Sequence, residues 1–255
     1  MRGARWRPLL GCLIGAFATL AIAADPGPVG RAGQQRMLAQ RVVKAYSQIG
    51  LNVLPTAAMN QLTNALASFD ANLKALDETA ANDTIKRGLS DLALAWQPLK
   101  RGAMAPISRD NALNLARETD AVELAAKRVV QQLQDHADTP SNRLVSLATR
   151  QSALCQKIAK AFMLMSWGIE SATVREELDT AVNEFSGGLE QLRSQRENSA
   201  EVRRELDEMA LQWEWLQTAI AAEGATSYRL IVAEATESIL ESTQRITRMY
   251  EAHTN

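Results

Sequence analysis

Between Gln35 and Arg128 the chain carries a pattern that returns further on. At an offset of 116 residues, Gln35 pairs with Gln151, Leu38 with Leu154, Gln40 with Gln156 and Lys44-Ala45 with Lys160-Ala161. The same offset pairs Leu62 with Leu178, Phe69 with Phe185, Leu73 with Leu189 and Leu76 with Leu192. After one inserted residue the offset is 117. It then pairs Leu89 with Leu206, Trp96 with Trp213, Leu113 with Leu230, Ala116 with Ala233, Thr119 with Thr236 and Arg128 with Arg245. A single insertion over a whole copy reads as an internal duplication of a unit about the size of one small domain.

Within each copy the apolar residues recur at three- and four-residue spacings, the period of amphipathic helices. In the first copy a helix from about residue 31 to 54 stops before Pro55, and Thr56 is expected to cap a second, running to about Thr79. Asn82-Asp83 opens a third, ending near Arg101-Gly102, and Pro106 and Ser108 lead into a fourth from Arg109 to His136. Asp138-Thr139-Pro140-Ser141 punctuates the chain before the pattern resumes. Short connections make antiparallel neighbours, so the expected fold is all-α, with two tandem antiparallel four-helix bundles over 29–138 and 141–255. The fourth helix of one unit leads into the first helix of the next, which suggests an elongated rod of two units that each fold alone. Trp167-Gly168 is expected to end the helix of the second copy that matches the first helix.

Residues 1–23 read as a secretory signal. Arg2, Arg5 and Arg7 precede an apolar run from Leu9 to Leu20, and Ala21-Ile22-Ala23 is a small-x-small cleavage site. The expected location is the periplasm after cleavage following Ala23, with anchoring by an uncleaved N-terminal helix as the alternative. Cys12 sits too early for a lipoprotein box. Cleavage leaves Cys155 alone, inside a helical apolar pattern, as a small buried side chain without a disulfide. With 28 basic and 29 acidic residues there is no basic field for nucleic acid. Haem attachment through Cys-x-x-Cys-His is excluded, as are phosphate loops and nucleophile elbows. His136 and His253 lie near the ends of fourth helices, away from any metal-spaced cluster. The chain is expected to have no catalytic activity, no cofactor and no metal.

The residues that stand out are on the first helix. Arg36, Gln40 and Lys44 recur at every fourth position and share a face beside the apolar stripe of Met37, Leu38, Val42 and Ala45. Spacing alone leaves two readings. These are cations of a solvated face paired with acids on a neighbouring helix, or a row of donors for a ligand.

Ala32-Gly33, Arg36-Met37 and Arg41 resemble the first-helix box of NarX-type nitrate/nitrite sensor domains. Gln35-Arg36-Met37-Leu38-Ala39-Gln40-Arg41 with Lys44-Ala45-Tyr46 resembles the PilJ-type domain, the periplasmic part of the type IV pilus methyl-accepting chemotaxis transducer. The resemblance implies antiparallel four-helix bundles and, from the NarX relatives, arginines of the box holding a small anion at a dimer interface. Carried onto this chain, the expected ligand-binding residues are Arg36 and Arg41, with Gln40 and Lys44 on the flank and Gly33 allowing close approach of another backbone. A guanidinium fork suits an oxyanion such as nitrate or nitrite.

The second copy departs from the box. Gly33 becomes Thr149, Arg36 becomes Ser152, Met37 becomes Ala153 and Arg41 becomes Lys157, while Gln151, Gln156 and Lys160 remain. The second copy is thus expected to keep the fold without the anion site. The expected partners are a small anion and a membrane-bound sensor or pilus component, with a homodimer as a further possibility. The alternative function is a ligand-free helical interaction protein that docks on such a component.

Overall fold

A computed structural model describes residues 26–221 and 226–252. Among them are eight α-helices and no strand, so the fold is all-α. The helices are α1 (Pro28–Gly50), α2 (Pro55–Glu78), α3 (Asp83–Ala103), α4 (Arg109–His136), α5 (Pro140–Ser166), α6 (Ala172–Arg193), α7 (Ala200–Ala221) and α8 (Thr226–Ala252). The expected signal segment, Cys12 and His253 lie outside the described residues.

Local chemistry sets most boundaries. Asn82 and Ser108 accept the Ile85 and Asn111 amides at 2.9 and 3.2 Å, and Thr139 and Ser171 cap α5 and α6 in the same way. Pro140 therefore starts α5 at a position where no amide is needed, so it does not simply interrupt the chain. Gly168 follows the Trp167 cap with φ +78°, a left-handed ending natural for glycine. The start of α2 differs from expectation. Pro55 occupies its first turn and Leu54 is the residue before the helix, held left-handed at φ 46°, so Thr56 lies inside the helix and is not its cap.

In residues 26–136, α1 packs on α2 and α4, and α3 packs on α4. In residues 140–252, α5 packs on α6 and α8, and α7 packs on α8. Phe69 stacks on Trp96 with centroids 3.8 Å apart, and Phe185 meets Trp213 at 4.3 Å. Trp96 donates to Asp70 at 2.8 Å, whereas Trp213 donates to Ser186 at 3.1 Å. Trp213 is core and Trp215 is exposed.

The two sets of helices are not strung end to end as a rod. The most extensive helix pair in the molecule is α1 with α5. Gly30 lies against Val145, Gly33 against Thr149 and Gly50 against Trp167, so the two helices run parallel. The cause is visible in α1 itself. Ala32, Ala39, Val42, Val43, Ala45 and Tyr46 are fully buried, which is more apolar surface than one stripe, and α2, α4 and α5 each cover part of it. A fragment ending at residue 138 would therefore uncover a face of α1.

Candidate functional site: the polar seam of α1 and α5

Two glutamines and a lysine of each central helix are completely buried: Gln35, Gln40 and Lys44 on α1, and Gln151, Gln156 and Lys160 on α5. They are the identical residues of the two copies. Buried amides and ammonium groups need partners. Carboxylates on the outer helices supply many of them.

Glu123 of α4 accepts Arg36 Nη2 at 2.9 Å and also the Gln40 amide, and Lys157 of α5 stands 3.8 Å from it. Glu237 of α8 accepts Lys44 Nζ at 2.5 Å, the Arg41 guanidinium, and the Gln156 amide at 3.5 Å. Lys160 is held by Glu177 of α6 at 2.5 Å, with Lys157 3.6 Å from the same oxygen. Glu123 and Glu237 each bind both central helices, so each ties α1 and α5 to a third helix.

The electrostatics follow from this packing. Burial pushes Glu123 and Glu237 up, but the neighbouring cations outweigh it. Lys157 and Arg36 hold Glu123 below the ordinary glutamate value, and Lys44 and Arg41 do the same for Glu237. Lys44 is pulled down by burial against the opposing charge of Glu237. Asp120 is pushed up by burial, with Lys160 and Lys157 opposing and Glu177 and Glu123 reinforcing. Five cations (Arg36, Arg41, Lys44, Lys157 and Lys160) thus share four carboxylates, one of them biased toward its neutral form.

The five residues expected at the site are all on this seam, in different roles. At Gly33 a Cβ would overlap the Thr149 side chain of α5, so what comes close there is a side chain of this chain, where the approach of another backbone was expected. Arg36 is almost covered, and its Nε is a buried donor without a partner. Gln40 uses its amide on Glu123 while its Oε1 has no partner. Arg41 and Lys44 both turn to Glu237. The outcome for this row is the neighbouring-helix pairing left open by the spacing, in a buried setting and not on a solvated face. Ser152, at the position of Arg36, donates to Thr243 at 2.8 Å and offers no charge.

Sequence reasoning missed Glu123, Glu177 and Glu237. Each sits on an outer helix among other charged residues, and only the side-by-side packing of α1 and α5 marks it as a counter-ion. Cys155 is buried, donates to the Thr236 carbonyl at 3.3 Å, and has its thiol pushed far up by burial, so it is chemically quiet. Among the described residues there is no group of side chains suited to a metal ion, and no helix is long and apolar enough to cross a membrane.

No curated protein and no solved structure matches the chain. A family model does match, over α1, α2, α3 and the first half of α4. Residues 25–122 fit the family described as type IV pili methyl-accepting chemotaxis transducer N-term, which relates the box-bearing part of this chain to the sensory modules of that family.

Proposed function

We propose that this protein is a periplasmic, non-catalytic sensory module that serves a membrane-bound chemosensory or pilus component, with α1 and α5 placed where the NarX-like relatives are expected to place two subunits. In this reading the two four-helix sets arose by duplication, and the box on α1 binds a small anion such as nitrate or nitrite. The observation that carries it is Arg36. Its Nε is buried without an acceptor, on a seam where cations outnumber carboxylates. An anion would take the guanidinium fork by exchange with Glu123, and Lys157, already 3.8 Å from that carboxylate, would keep Glu123 neutralised.

One specific observation favours a second reading. Arg36, Arg41 and Lys44 already hold internal carboxylates, so the box also works as a clasp with no ligand, which would make the protein a helical interaction module. Calorimetry and thermal unfolding with nitrate and nitrite, at fixed ionic strength, separate the two. The anion reading expects saturable stabilisation that disappears in Arg36→Ala and survives in Ser152→Ala. Stabilisation that is absent, or indifferent to Arg36→Ala, rejects the anion site and leaves the clasp.

A further inference from the structure

A concave site adjoins the seam through Glu237, and it has the opposite character to the box. Between α2 and α8, over the end of α1, there is a cavity of about 360 Å³ with Gln48 of α1 at its floor. That volume suits a small molecule. One wall is acidic: Glu234, Glu237, Ser238 and Glu241 share a face of α8 at three- and four-residue spacings. The facing wall has no charge, since α2 carries no ionisable side chain between Pro55 and Phe69. Arg41 and Lys44 are both engaged with Glu237, and among the described residues no cation pairs with Glu234 or Glu241, both exposed at the mouth.

The floor supplies an independent indication of a ligand. Gln48 is only 2 % exposed and its Oε1 is buried without a hydrogen-bond partner. Gln61 beside it also has a buried, unpartnered Oε1. Free carboxylates in one wall call for a ligand that carries positive charge and donates hydrogen bonds, and the lining amides of Gln48 and Gln61 have acceptor capacity that no group of the fold uses. The remaining lining, Leu54, Ala57, Ala58 and Ala233, offers a bed for methylene groups. Leu54 is held in the left-handed region at φ 46°, a costly conformation for a leucine, at the edge of this cavity.

We infer that this cavity binds a small aliphatic ammonium compound, a mono- or diamine whose head donates to Gln48 and Gln61 and is neutralised by Glu234 and Glu241. The cavity lies between a helix of the first set and a helix of the second, so such a ligand would bridge the two across the seam. Arg36 takes no part in it, and the inference stands or falls independently of the anion site.

The test is calorimetric titration and thermal unfolding of the protein with putrescine and cadaverine. The controls are 1,4-butanediol, the neutral isostere, and magnesium chloride at matched ionic strength. Saturable binding of the amines is expected, with no response to the diol or to magnesium. Glu234→Gln with Glu241→Gln changes only exposed side chains, and it should weaken the amines by about tenfold or more, the loss of a charge-assisted hydrogen bond. Gln48→Met removes the orphan acceptor at similar volume. It should weaken the amines while leaving the free protein at least as stable. An equal response to magnesium, an absence of saturation, or unchanged affinity in both variants overturns the assignment. Binding of Nα-acetyl-lysine amide with none of the free diamines also overturns it and moves the site to a lysine borne by another protein.

Discussion

Lys44 shows how a single residue can be read correctly in part. Its place in a row with Arg36 and Gln40 was legible, because helical spacing alone sets it. Its burial was not, because burial comes from α5, and its counter-ion Glu237 lies 193 residues away. A fully buried ammonium is tolerable only while its carboxylate stays. Glu237→Ala should therefore cost about 3–5 kcal/mol in denaturant unfolding. The double variant Lys44→Met with Glu237→Leu removes both charges and should recover most of that loss. Equal destabilisation in the single and double variants would mean that packing at Glu237, not the pairing, matters. The same logic explains why the anion box could not be judged from spacing. The types of donor were visible, but the acceptors already holding them were on α4 and α8.

At the scale of elements, the helices were legible nearly to their ends, since capping chemistry is local. Ser108 with Arg109, Thr139 with Pro140 and Trp167 with Gly168 each mark their boundary within a few residues. Thr56 misled because Pro55 starts the helix earlier, with Leu54 in a left-handed conformation just before it. How α1 meets α5 depends on a contact of long range. Gly33 and Thr149 are counterparts in the two copies, and they face each other as hole and knob across the seam. A side chain at residue 33 has no room, so Gly33→Thr should cost about 1–3 kcal/mol through overpacking. Adding Thr149→Gly exchanges knob and hole. It should return stability to within about 1 kcal/mol of the parent, since each version keeps one glycine and one threonine within a helix and the propensity cost cancels. Chemical denaturation of the three variants checks this, and a swapped variant no better than Gly33→Thr would mean that the seam is not interchangeable about its axis.

For the whole molecule, the parallel contact of α1 and α5 changes what half of the chain can do. The repeat suggested two independent bundles, because each copy carries a complete set of amphipathic helices. The folded chain places the first helix of each copy at the centre, covered on three sides. A fragment of residues 24–138 would lose the cover of α5, and Lys44 and Arg41 would lose Glu237. Two such fragments could restore the seam by pairing α1 with α1. At the offset of 117, Asp120 is the counterpart of Glu237, so each Lys44 would find an aspartate of its partner, one methylene shorter. Ser152 has Arg36 as its counterpart, so the pair would bring a second Arg36 to the seam and add repulsion. The fragment is therefore expected to be a weak dimer whose unfolding midpoint rises with protein concentration, well below the midpoint of the whole chain. Mixing with residues 139–255 should give a 1:1 complex in preference to either homodimer, since only that pairing supplies Glu237 and removes one Arg36. Light scattering coupled to size exclusion, with denaturation at several concentrations, reads both outcomes. A monomeric fragment as stable as the full chain would show that the two sets of helices are independent after all.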